Sequence, residues 1–421
     1  MKTFYIHTLG CPKNVVDSES LCVTLERAGL KRVYEISSAD LLLINTCGFI
    51  KEAKEESIEE ILTIASEKKK QQKLIVLGCL SERYRDILRQ ELPEVDAFFG
   101  VESETEILSY LNKKTSSQRI LVKPDTFPYG YIKVSEGCNR SCSFCAIPSI
   151  RGKYRSTPPE EVLKRAEALL KMGIKELILV AQDITSYGME FKGYSLPELL
   201  QDLCMFDRDY WVRILYLYPT SISDRLIRVI DENKKICRYL DIPLQHSVER
   251  ILHLMQRRGS SRYYLDLIKR LRKELPGVVL RTSIIVGFPT ESEEEFESLL
   301  DFVRVAEFEN LGTFVYSKEE GTVAAGMKGQ LPESIKRERY HRLMSLQAEI
   351  SARKNRALKG RILEVLIDEI EEDLAVGRYY GQAPEIDGVV IIERIDRLKR
   401  GEFVKVLIKE TDIYDLRGEV V

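Results

Sequence analysis

Three cysteines fall within eight residues, Cys138, Cys142 and Cys145, in the spacing Cys-x3-Cys-x2-Cys. The run Glu136-Gly137-Cys138-Asn139-Arg140-Ser141-Cys142-Ser143-Phe144-Cys145 is otherwise mostly polar and follows an apolar strand candidate at residues 131–134. Three thiolates on one otherwise polar loop point to an inorganic group rather than to accidental spacing of buried cysteines. They can hold three irons of a 4Fe–4S cube and leave the fourth iron without a cysteine, whereas an ordinary electron-transfer cluster has four. An iron left open in this way calls for a ligand that comes and goes. Zinc is the competing reading, but a structural zinc site takes four ligands, commonly as two pairs. No fourth Cys or His lies near this loop.

The remaining six cysteines are Cys11, Cys22, Cys47, Cys79, Cys204 and Cys237. Residues 1–100 alternate strand and helix patterns, with strand candidates at 3–9, 41–45 and 73–77. Each ends beside glycine and cysteine: Gly10-Cys11, Thr46-Cys47-Gly48 and Gly78-Cys79. The rhythm predicts a small parallel α/β domain, and ligand sites of such sheets lie outside the carboxyl ends of the strands. Glycine there lets backbone approach a bulky ligand. Cys11, Cys47 and Cys79 are therefore expected to hold a second, auxiliary 4Fe–4S cluster, again with an open iron. Cys22, Cys204 and Cys237 have no partner by spacing and read as structural thiols.

Lys113-Lys114-Thr115-Ser116-Ser117 reads as a surface linker. Beyond it, strand candidates at 131–134, 176–181, 212–217, 239–243, 278–286 and 310–316 alternate with helical stretches such as 159–172, 225–233 and 261–274. Six such units predict a partial (β/α)6, TIM-like barrel with its site at the C-terminal ends of the strands. A basic helical stretch at 334–359 follows. Strand candidates at 362–367, 374–379, 388–392 and 403–408 then predict a small all-β, OB-like barrel. The expected fold is thus α/β, in three domains at residues 1–116, 124–353 and 356–421.

The cysteine motif, its place after the first barrel strand and the six βα units together resemble the radical S-adenosylmethionine (SAM) superfamily. That resemblance implies that SAM chelates the open iron and is cleaved to a 5′-deoxyadenosyl radical. It also implies contacts to SAM from residues on the same barrel edge: Phe144, Gln182 and Asp183, Gly287 in Gly287-Phe288-Pro289-Thr290, and Glu320 in Glu320-Gly321-Thr322. A tight turn is the competing reading for Gly287, and core packing for Phe144. His246, in Asp241-Ile242-Pro243-Leu244-Gln245-His246-Ser247, reads as a loop histidine bonded to backbone.

With three N-terminal cysteines and a C-terminal β-barrel added, the whole chain is similar to the methylthiotransferases, whose barrel is a TRAM domain. The family implies sulfur carried on the auxiliary cluster, one SAM as methyl donor and another as radical source. Its members act on tRNA adenosine or on an aspartate β-carbon of ribosomal protein S-twelve. Gly10-Cys11-Pro12-Lys13-Asn14, Asn45-Thr46-Cys47-Gly48-Phe49-Ile50 and Ala383-Pro384-Glu385-Ile386-Asp387-Gly388 resemble the second kind. A tRNA-binding barrel should be basic, yet residues 357–421 carry a net charge of −5, which suits a basic protein substrate.

The expected partners are the ribosomal protein and a flavodoxin- or ferredoxin-type reductant, with nucleic acid not required but within reach on the ribosome. A non-catalytic, metal-stabilised RNA-binding protein is the alternative from another class. The strongest apolar runs, at 41–44 and 74–80, are far shorter than the roughly 18 residues of a membrane span. Residues 1–9 lack the apolar core of a signal peptide. The expected location is cytoplasmic, without membrane contact.

Overall fold

The computed structural model describes residues 1–114, 127–393 and 398–421. Thr115, Ser116 and Ser117 of the expected linker, and the expected boundaries at 116 and 124, lie outside the described residues. The chain forms two compact units. One holds the N-terminal residues together with Glu136–Arg155 and Ser317–Ala325; the other holds the strand before Glu136, Ser156–Tyr316 and the chain from Gly326 onward.

The first unit is built on an all-parallel sheet. Its strands lie in the spatial order Lys31–Arg32, Thr3–Thr8, Leu41–Thr46, Lys73–Gly78, Ala97–Phe98. Leu41–Thr46 is buried at every position, as a central strand covered on both faces must be. Side chains alternate between the faces, and the register preserves the alternation. Leu42 pairs with Leu74 and Ile44 with Val76, and these four meet Ile61 and Ile64 of helix Lys51–Glu67 and Leu80 and Leu88 of helix Cys79–Glu91. Leu41, Leu43, Ile75 and Leu77 point the other way, against Leu21, Cys22 and Leu25 of helix Pro12–Arg27 and Ile107 and Leu108 of helix Glu104–Tyr110. The strand order reverses between Thr3–Thr8 and Leu41–Thr46. In doubly wound sheets the crevice at that switch point is the ligand site.

The second unit contains six parallel strands in sequential order: Tyr129–Lys133, Glu176–Val180, Trp211–Ile214, Ile236–Asp241, Val279–Val286 and Asn310–Val315. All six were expected from the sequence. Helices Pro159–Lys171, Asp224–Glu232, Ser261–Glu274 and Glu293–Ala306 supply the apolar face that packs on them. Glu293–Ala306 starts with a capping box, Ser292 with Glu295, which satisfies two otherwise orphaned backbone donors.

A closed five-stranded barrel ends the chain, with strands Ile362–Ile370, Leu374–Tyr379, Val390–Glu393, Phe403–Thr411 and Leu416–Val420. The sequence pattern supplied four of them; the fifth, Leu416–Val420, closes the ring between Val390–Glu393 and Phe403–Thr411. The barrel sits on the amino-terminal edge of the six-stranded sheet. Arg378, only 2% exposed, forks onto Asp368 at 2.6 and 2.8 Å and reaches Glu176 at 2.7 Å, while Arg213 meets the same Glu176 at 2.5 Å. Tyr239 donates to Asp387 at 2.7 Å and Tyr129 to Glu385 at 2.9 Å. Trp211 and Phe403 pack ring to ring with centroids 4.9 Å apart. The opposite, carboxyl edge of the strands is left to the loops.

Candidate active site: two cysteine triplets

Cys11, Cys47 and Cys79 each begin a loop or helix at the carboxyl end of a strand of the first sheet. Cys11 caps helix Pro12–Arg27, with proline at its first position, where the missing N–H costs nothing. Cys79 opens helix Cys79–Glu91 directly after Gly78, whose φ is 96°. Both backbone groups of Cys47 are held by the buried Ser57: its hydroxyl accepts from the Cys47 N–H at 3.1 Å and donates to the Cys47 carbonyl at 2.9 Å.

The three loops touch in turn, and glycine makes this possible. A Cβ on Gly10 would stand 2.7 Å from Cys47 Cβ and 3.0 Å from Cys47 Sγ. One on Gly48 would stand 2.6 Å from Leu80 Cα and 2.9 Å from the Cys79 carbonyl carbon. The wholly buried Asn14 knits the same loops: its amide donates to the Leu9 carbonyl at 2.8 Å and to the Thr46 carbonyl at 3.2 Å, and its own carbonyl accepts from Asn45 at 3.0 Å.

The three thiols titrate differently. Burial pushes Cys47 up to about 12, and the neighbouring Cys11 and Cys79 add to the rise. Burial also raises Cys79, against the pull of the Arg151 guanidinium. For Cys11 burial is outweighed by Lys13, the Asn14 and Lys13 N–H groups and Arg151, and the thiol lies below its ordinary value. A thiol raised by burial and by other sulfurs becomes a thiolate when a cation takes the proton's place. The donor set and the glycine-lined approach therefore fit an iron–sulfur cluster. Among the described residues, no three His, Cys, Asp or Glu side chains stand close enough for a single metal ion.

The loop with Cys138, Cys142 and Cys145 belongs to the same unit. It is shaped by bonds from the Cys138 N–H to the Gly152 carbonyl at 3.2 Å and from the Cys145 N–H to the Cys142 carbonyl at 3.1 Å, and the Arg140 N–H points at Cys138 Sγ at 3.4 Å. Gly137 has a φ of 75°, and a Cβ there would lie 2.3 Å from the Lys153 carbonyl oxygen. These three cysteines are partly exposed, as Cys11 is, whereas Cys47 and Cys79 are buried. Phe144 between them is half-buried.

The segment Ser317–Ala325 lies along both triplets. Its Ala324 N–H donates to the Ser143 carbonyl at 2.8 Å. Its buried Glu319 carboxylate accepts from Lys54 and from Arg83, each at 2.8 Å, and Arg83 also donates to the Gly48 carbonyl at 2.7 Å. Sequence reasoning singled out Glu320, which is exposed; the buried carboxylate of this turn is Glu319. Its cationic partners come from residues 54 and 83, far away in the chain.

Gln182, Asp183 and Gly287 lie in the second unit, at carboxyl ends of its strands. Asp183 is buried and accepts from the hydroxyls of Thr185 and Ser186. Gly287, with a φ of 75°, packs against Lys336 and donates to Glu291. Glu291 also meets His246 at 3.2 Å, and the imidazole accepts from the Val248 N–H at 3.0 Å. The expected backbone bond of His246 is thus present, with a buried carboxylate that the sequence did not announce.

Three family models match the chain: the uncharacterized protein family UPF0004 over residues 3–100, the radical SAM superfamily over 132–303 and the TRAM domain over 360–421. The chain is 53% identical, over all of both sequences, to the ribosomal protein uS12 methylthiotransferase RimO of Thermodesulfovibrio yellowstonii. It belongs to the RimO family of methylthiotransferases. RimO proteins of Carboxydothermus hydrogenoformans and Aquifex aeolicus are 45% and 46% identical, covering 99% and 98% of this chain and 99% and 95% of their own.

Solved structures share the fold at lower identity. The radical SAM methyltransferase TsrM of Kitasatospora setae is 12% identical with a TM-score of 0.57, covering 75% of each chain. The cobalamin-dependent radical SAM enzyme OxsB is 13% identical with a TM-score of 0.54, covering 83% of this chain and 56% of its own. As a RimO-family member the chain is a radical SAM methylthiotransferase, an enzyme whose cofactors are SAM and iron–sulfur clusters. Among the described residues no helix is long and apolar enough to cross a membrane.

Proposed function

We propose that this enzyme adds a methylthio group to the β-carbon of an aspartate of ribosomal protein uS12. The observation that carries the proposal is full-length relatedness to uS12 methylthiotransferases, in a chain that keeps two separate cysteine triplets at loop sites. Cys138, Cys142 and Cys145 would hold the cluster that binds SAM, and Cys11, Cys47 and Cys79 the auxiliary one. When bound, these groups supply a radical able to abstract hydrogen from an unactivated C–H bond, together with the sulfur and the methyl that are transferred.

The chain's own part is placement. Gly10 and Gly48 let the auxiliary loops close on one another, Asn14 fixes their backbones, and Ser317–Ala325 is pinned to both triplets. Phe144, Gln182, Asp183, Gly287 and Glu320 are the proposed SAM contacts. Residues 1–116, 124–353 and 356–421 would serve as auxiliary-cluster, radical and TRAM domains. A flavodoxin- or ferredoxin-type protein would supply electrons, and a ribosomal substrate places the reaction in the cytoplasm.

A tRNA adenosine is the second reading. The acidic C-terminal barrel disfavours it, although Asp368, Glu385 and Asp387 are engaged in docking, so the acidity displayed to a partner is less than the residue count implies. The deciding experiment offers uS12 and unmodified tRNA in parallel to the anaerobically reconstituted enzyme with SAM and reductant. Mass spectrometry should find the added methylthio group on uS12 alone; modification of tRNA alone would sink the substrate assignment.

A further inference from the structure

Arg151 is nearly fully buried, at 5% exposure, and closes the short helix Ile147–Arg151 that follows Cys145. One arm of its guanidinium, Nη2, donates to Cys79 Sγ at 3.3 Å and to Asn14 Oδ1 at 2.6 Å. The other arm, Nη1, donates to Asp17 at 2.6 Å and Glu136 at 3.1 Å. Asn14 and Asp17 follow Cys11, and Glu136 precedes Cys138. One side chain thus bonds to an auxiliary cysteine, to the helix behind a second and to the loop of the SAM triplet. Beside it, Cys79, Ala146 and Ile150 form a small buried cluster, so the sulfur contact lies in a water-poor, low-dielectric setting where a hydrogen bond counts for more.

Burying a guanidinium is costly unless its donors are met. Here two carboxylates and an amide oxygen hold the fork, and the remaining direction is aimed at sulfur. Resting on the reading that Cys79 is an auxiliary-cluster ligand, we propose that Arg151 is a positioning residue that orients Cys79 relative to the Cys138 loop and raises the reduction potential of the auxiliary cluster. A cationic donor on a ligating sulfur withdraws electron density and stabilises the reduced state; hydrogen bonds to the sulfurs are among the principal levers on such potentials. The arrangement also ties the geometry of one triplet to that of the other, because the guanidinium that donates to Cys79 is bonded to Glu136 as well.

The test uses the anaerobically reconstituted full chain, with iron counted per chain and a potentiometric titration followed by electron paramagnetic resonance. Arg151→Met, similar in length and without donors, should keep its iron and move one of the two redox couples to a more negative potential, leaving the other in place. Arg151→Lys restores charge without the fork and should bring that couple part of the way back. Methylthio transfer by Arg151→Met should fall by about tenfold or more, while 5′-deoxyadenosine still forms. Unmoved couples at full iron loading overturn the proposal. Should Arg151→Met lose iron, Arg151→Lys decides: an intermediate potential supports the role, a wild-type one removes it. Cys79→Ala tests the underlying reading separately. Loss of about half the iron upholds Cys79 as a ligand; full iron would refute that reading whatever Arg151 does.

Discussion

Gly10 pairs a φ of 89° with no room for a side chain, since the nearest atoms of Cys47 stand 2.7 and 3.0 Å from where a Cβ would be. Gly10→Ala should therefore cost about 1–3 kcal/mol in backbone strain and push the Cys11 loop away from Cys47. The expected outcome is a lower unfolding midpoint together with reduced iron at the cluster site proposed for Cys11, Cys47 and Cys79 only. A normal iron count would mean that the close approach serves packing alone. The cysteines of this site were legible because each sits at the end of an apolar run beside glycine, a local signal. Asn14 and Arg151 were not, though both lie within sight of a cysteine in the sequence. What gives them meaning is partners at positions 46, 79 and 136, and no short window around Asn14 or Arg151 contains those partners.

The two-residue strands Lys31–Arg32 and Ala97–Phe98 are too short to show a pattern; longer strands with an apolar inward face announced themselves, and Leu416–Val420 did not. Its inward positions are Leu416 and Gly418, and a glycine in the inward slot carries no hydrophobic signal. The structure needs that glycine, since a Cβ there would lie 2.5 Å from the Leu407 carbonyl oxygen. The Ser317–Ala325 segment was equally hard to read, being held by ion pairs rather than by a periodic pattern. Burial opposes the charge of Glu319, but Lys54, Ser317 and Arg83 outweigh it and hold the carboxyl below its ordinary range. The stabilisation is therefore complete above the unfolded carboxylate value of about 4.3 and disappears as pH falls through the lower, folded value. Glu319→Gln should destabilise the metal-free chain at pH 7, and the gap to wild type should close in acid. A gap that stays constant from pH 7 to about pH 3 would show that shape, not charge, anchors the segment.

At the scale of the molecule, the junction between the C-terminal barrel and the six-stranded sheet is made by charges withdrawn from water. Arg378 and Arg213 share Glu176, and Asp368 takes the fork of Arg378. Arg378→Met would leave the buried Asp368 without its cation and Glu176 with Arg213 alone, a loss of about 3–5 kcal/mol, visible in denaturant unfolding and in faster proteolysis between residues 356 and 362. Insensitivity to the substitution would mean that the Trp211–Phe403 contact carries the junction. The sequence showed a barrel and a sheet but not that they were fastened, because Glu176 and Arg378 stand two hundred residues apart. Fastening of this kind limits how the enzyme can be recombined. A graft of another protein's barrel onto this sheet, or of this barrel onto a foreign sheet, would inherit half of an electrostatic lock, and the chimera would keep the lock only if Glu176, Arg213, Asp368 and Arg378 travelled as a set.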